Sequence, residues 1–151
     1  MIIAAVGDTG YNVVLLMHLL TMVVAFAPMF VHPFLGAQSK EFDAANQSKL
    51  LGFTSGNGRR IYAPALIVTG LLGFALSGMS SDVYEMSQGW LVAGALLWVA
   101  LNGILHAVVL PNERKWADGD TAAEKMVAAG GMAMTLILVV MLYLMIFKPG
   151  F

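Results

Sequence analysis

The sequence predicts an all-α integral membrane protein, an up-down-up-down four-helix bundle forming a single domain of 151 residues. Three observations lead there. Hydrophobic residues make up 59% of the chain and charged residues 11%, whereas a soluble domain carries roughly 25% charged residues. Four stretches reach the ~20 apolar residues that a helix needs to cross a bilayer core. The segments between them are polar, carry Gly and Pro breakers, and are short enough to join antiparallel neighbours. The composition also limits the chemistry. The chain has no cysteine, which excludes disulfides, thiolate metal sites and thiol catalysis. The net charge of −1 argues neither for nor against an acidic partner. The expected surroundings are the lipid bilayer, with a homo-oligomer or a larger membrane complex as the possible assemblies, and no nucleic acid.

Span one covers about 11–34. It is too long, and lacks the basic start, for a cleavable signal peptide. Pro28 lies inside it, frees the Val24 carbonyl and predicts a kink. The connection GAQSKEFDAANQSKLLGFTSGNGRR has room for a short interfacial helix near 42–53, which TSGNG should end. Span two covers about 61–79, with Pro64 in its first turn, where a missing N–H costs little. SSDVYEMSQG leads to span three at about 90–110, and PNERKWADGDTAAEK to span four at about 126–147.

Lys and Arg are retained by cytoplasmic connections. Lys40, Lys49, Arg59, Arg60, Arg114, Lys115 and Lys125 fall in the first and third connections, and only Lys148 falls on the opposite side. That asymmetry predicts both termini and the second connection outside. Tyr11, Tyr84, Trp90 and Tyr143 then belong to an outer aromatic belt, and Tyr62 and Trp116 to an inner one. Helix contacts in lipid favour small residues. Thr69, Gly70, Gly73 and Ser77 in span two, and Gly130, Gly131 and Thr135 in span four, are the expected packing faces.

The polar side chains inside the spans are few. Stepping at heptad spacing, Tyr11, Leu15, His18, Met22, Ala25, Met29 and His32 form one stripe of span one. Imidazole is poorly placed in lipid, so the stripe should face the bundle. In span three, Gly94, Trp98, Asn102 and His106 form a ridge at spacing four, and Asn102 should find a partner across the bundle. His18 sits roughly 10 Å inside the outer end, counted from Tyr11 at 1.5 Å per residue. His32 lies at the cytoplasmic interface and His106 about one turn inside it. No Asp, Glu, Lys or Arg is expected within the membrane, which argues against a proton relay or an ion-coupled transporter. GNGRR lacks the setting of a nucleotide fingerprint. Three readings of the histidines remain open. A bundle can hold a haem on histidine or methionine ligands, here His18 with a methionine or His32 with His106. Methionine sulfur and imidazole suit Cu(I). Or the histidines simply hydrogen-bond and snorkel.

VVLLMHLL, RRIY, VTGLLGFAL, GWL, PNERKW and the closing IFKPGF follow one another in an order and spacing that resembles the HemJ/CopD-like group. This group of small four-span proteins includes membrane protoporphyrinogen oxidases and a related integral membrane family of unknown function. The resemblance covers most of the chain. It implies a bacterial cytoplasmic membrane location and haem b bound through His18, the metal ligand. It also implies redox chemistry on porphyrinogen arriving from the membrane. Met22, Asn102 and His106 are the other candidate cofactor-binding residues, with Arg59 and Arg60 toward the propionates. Gly94 stands near the place where those oxidases carry a lysine that matters for activity. The alternative is a non-catalytic accessory or assembly subunit of a larger membrane complex, and a third reading is copper handling.

Overall fold

The computed structural model describes residues 6–150, and among them every regular element is helical. Helix α1 spans Thr9–Ser39. A second rod joins α2 (Ala44–Asn57) to α3 (Ala63–Gly78) through a π-helical turn at Gly58–Tyr62. A third joins α4 (Gly89–Ile104) to α5 (Leu110–Ala117) through a second π turn at Leu105–Val109. Helix α6 spans Thr121–Phe147. All four rods are long and apolar enough to cross a membrane. Short turns join successive rods, so they alternate up and down as the sequence predicts.

The rods overrun the predicted spans, mostly at the basic end. At 31 residues, α1 is about 46 Å long, well beyond a hydrocarbon core of ~30 Å. TSGNG does not end a helix, and PNERKW is not a connection. Both lie inside rods. The cause is tertiary. Leu51, Thr54, Ser55 and Gly58 are buried, and Ser48 Oγ donates to the Ala117 carbonyl at 2.7 Å. A weak local preference for breaking is overridden by packing of α2 on α5.

Each π turn ends two residues before a proline. The Ala63 N–H reaches back five residues to the Gly58 carbonyl, and Pro64 follows. The Leu110 N–H reaches the Leu105 carbonyl in the same way, and Pro111 follows. A proline inside a helix has no N–H to give and crowds the carbonyl four residues back. One widened turn absorbs the conflict and lets the rod continue. Helix α1 likewise runs on through Pro28 and Pro33.

The core centres on Leu66 and Leu101, both almost fully buried. The small-residue face of span two packs within the chain, but in span four only Gly130 does, while Gly131 has nothing within 4 Å of an added Cβ and Thr135 is exposed. The Trp98 indole lies against Gly70, where any Cβ would collide with the ring, and its Nε1 donates to the Leu66 carbonyl at 2.9 Å. Val109 fills the space at Gly130, where a Cβ would stand 2.7 Å from its Cγ2.

The end away from the basic residues is shut by side chains. Ser77 Oγ donates to the Tyr84 carbonyl at 2.6 Å, and Ser80 Oγ accepts from the Tyr84 N–H at 2.9 Å. Lys148 Nζ donates to the Tyr84 hydroxyl at 2.8 Å and lies 4.4 Å from that ring's centroid. Tyr84 meets Trp90 edge-on at 5.7 Å. Tyr11 and Trp90 stand at this end with their rings buried in the bundle. Tyr143 remains exposed.

Candidate functional site

The residues singled out by sequence do not converge. His18 is half-buried, and its Nδ1 donates to the Thr69 carbonyl at 2.8 Å. Its ring rests against Gly73, where a Cβ would stand 3.3 Å from Cε1. Met22 packs on the core. Asn102 donates to the Trp98 carbonyl of its own helix at 2.9 Å and leaves Oδ1 without a partner among the described residues, so the expected cross-bundle bond is not made. His106 is exposed and shares a recess of about 230 Å³ with Arg59. Arg59 Nη2 makes a long bond to the Leu110 carbonyl at 3.5 Å, and Arg60 is exposed.

The predicted ridge fails for a geometric reason. Each four-residue step turns about 400°, so Gly94 and His106 end roughly 120° apart around a helix of 3.6 residues per turn. Gly94 is buried and His106 faces out. A haem at His18 needs room beside that ring and a second ligand near it. His18 borders neither that recess nor the large cavity, and the other candidates are engaged elsewhere. These residues do not fit haem b, and no step is derived through one. Among the described residues no three His, Asp or Glu side chains gather as a metal set.

The structure instead draws together residues at the basic end. A cavity of about 730 Å³ lies between the second half of α1, the Gly58 π turn, α5 and the first half of α6. Ligand pockets typically measure ~300–1,000 Å³ and are mostly apolar with a few placed polar groups. Met29, Leu105, Trp116 and Met134 give the apolar wall. Helices α1 and α6 meet at only a few positions, so the cavity opens sideways between them. Met132 and Leu136 line it and are still 69% and 66% exposed. At the polar mouth, Lys40 and Glu124 join the end of α1 to the start of α6 at 2.7 Å.

Two polar side chains stand deeper. His32 Nδ1 and Glu113 Oε1 are 3.1 Å apart, and Tyr62 meets the imidazole edge-on at 6.0 Å. Glu113 is only 6% exposed. Its Oε2 has no hydrogen-bond partner among the described residues. Leaving such an acceptor unmet costs about 1–3 kcal/mol or more. Gly58 of the first π turn faces Glu113 of α5, and a Cβ there would stand 3.1 Å from Oε2.

The partner of His32 is thus Glu113 rather than His106, and the bundle interior at the basic end holds an acid. The missed signal was the spacing of Leu110, Glu113 and Ala117, the buried stripe of α5. It is a helical period running through a segment that its proline marks as a connection. With proteins already known there is no match: no family model, curated protein or solved structure aligns with this chain. The HemJ/CopD-like likeness therefore rests on the short motifs quoted above.

Proposed function

We propose that this is a multi-pass protein of a bacterial cytoplasmic membrane, with its basic end inward, that binds a lipid-soluble ligand in the cavity between α1 and α6. The observation that carries the reading is the cavity itself: large, apolar, open to the side, and provided with one buried polar pair, His32 and Glu113. An apolar body would lie against Met29, Trp116 and Met134, and its polar group would meet the pair. The side opening suits a ligand that arrives dissolved in the bilayer. The inward direction of the basic end rests on the Lys and Arg asymmetry, and the bacterial membrane on the resemblance.

Gly131 offers a clean test. It lines the cavity, and a Cβ added there meets nothing within 4 Å. Gly131→Phe therefore fills the cavity without disturbing the core. Native mass spectrometry of the wild-type protein should show a bound small lipophile that Gly131→Phe lacks. Equal bound mass in both would overturn the reading. Orientation is tested separately by Ser48→Cys and Ser81→Cys in intact cells. An impermeant thiol reagent should label the second and spare the first, and the reverse pattern would invert the protein.

A further inference from the structure

The ligand's polar end can be specified further, an inference that rests on the cavity reading. We propose that the ligand carries a hydrogen-bond donor, an amine or a hydroxyl, on its apolar body, and that Glu113 Oε2 is the acceptor that holds it. Besides the Tyr62 phenol, four ionisable side chains line the cavity, and three of them are already held. Lys40 and Glu124 hold each other at 2.7 Å. His32 is held by Glu113 Oε1 at 3.1 Å. Glu113 Oε2 is the open one, buried and without a partner among the described residues. A carboxylate oxygen is an acceptor, so what completes it is a donor.

Gly58 borders that oxygen: a Cβ there would lie 3.1 Å from Oε2 and 2.9 Å from Leu110 Cδ2, so a side chain at this position would crowd the acceptor. An acceptor-only head, such as an ester or ketone, gains nothing there. A carboxylate or phosphate head would bring negative charge against a carboxylate in a poorly screened site.

The test uses the full chain in lipid nanodiscs and four probes with one saturated chain: dodecylamine, dodecanol, methyl dodecanoate and dodecanoate. Thermal stabilisation gives an apparent affinity for each, corrected by its partition into empty nanodiscs. The amine and alcohol should bind about tenfold or more tighter than the ester, the size of one buried hydrogen bond, with dodecanoate weakest. Glu113→Gln should bring the four to within about threefold, and Gly58→Ala should selectively weaken the amine and alcohol. Gly131→Phe should weaken all four. If all four bind alike and Gly131→Phe abolishes them, the cavity reading stands and the donor inference falls. The ester or the carboxylate binding best likewise overturns the donor inference. If no probe responds to Gly131→Phe, the cavity reading fails and takes the donor inference with it.

Discussion

The two halves of this bundle solve the same problem in opposite ways. Each contains a histidine of α1 turned toward the protein. In the half around His18, every neighbour closes in. Glycine faces the imidazole, a backbone carbonyl accepts a hydrogen bond from it, and Trp98 fills the trough at Gly70. Tyr84, Trp90 and Lys148 then seal the end. In the half around His32, the rods splay, α1 and α6 leave a gap, and a buried carboxyl keeps one oxygen unmet. A satisfied polar group in a packed site adds stability. An unsatisfied one beside a cavity costs stability, and such costs concentrate where ligands bind. On the proposed reading the first half is structural and the second holds the ligand.

Substitutions can break that division, starting with the packed half. Gly70→Leu must displace the Trp98 indole and its bond to Leu66, and is expected to cost about 3 kcal/mol or to prevent folding. Leu101→Ala, with no exposed surface to relax into, is expected to cost about 3 kcal/mol. Leu136→Ala, on the exposed flank of the cavity, should stay within about 0.5 kcal/mol. Thermal or denaturant unfolding in mild detergent measures all three, and equal losses for the two leucines would erase the contrast.

The histidines provide the next comparison. His32→Ala removes the hydrogen-bond partner of Glu113 Oε1 and should lower stability by about 2 kcal/mol. It should also abolish retention of the lipophile. His18→Ala should lower stability by about 1 kcal/mol through the lost bond to Thr69 and leave retention unchanged. Unfolding measurements paired with native mass spectrometry separate the two.

The smallest expected effect lies outside both halves, at the start of α2. Asp43 caps that helix, accepting from the Asn46 backbone N–H at 2.9 Å and from its side chain at 2.7 Å. Those bonds hold its carboxyl below the usual carboxylate range. A carboxyl with a lowered folded pKa contributes stability above its unfolded value, near 4, and loses it as pH falls through the folded one. Asp43→Ala should therefore speed amide exchange in the first turn of α2 at neutral pH, with the difference from wild type vanishing in acid. A difference that persists in acid would deny the cap its role.

Much of the fold is visible in the sequence because lipid imposes a simple rule: about 20 apolar residues, then polar breakers. The rods' true lengths are not, because Gly56, Gly58 and Pro111 read as stops and Pro64 reads as the first turn of a new span. Packing holds the glycines in helix, and a π turn ahead of each proline keeps the rod running. The site is legible by half. His32 stands on the inward stripe that heptad spacing picks out. Glu113 hides in a polar run whose period of three and four is short and crossed by a proline. His18 drew attention for a sound reason, since it is a polar group deep in a span. A carbonyl about two turns into α3 satisfies it, and sequence spacing carries no sign of that bond.

The cavity's occupancy can be read through Trp116, whose ring edge lies against Gly36 on the cavity wall; neither Trp90 nor Trp98 lines that wall. A brominated alkyl amine added to the protein in nanodiscs should quench a saturable part of the tryptophan fluorescence. That part should disappear in Trp116→Phe and in Gly131→Phe, and unbrominated amine should restore it. Quenching that never saturates, or that survives both substitutions, would contradict a ligand site at the basic end of the bundle.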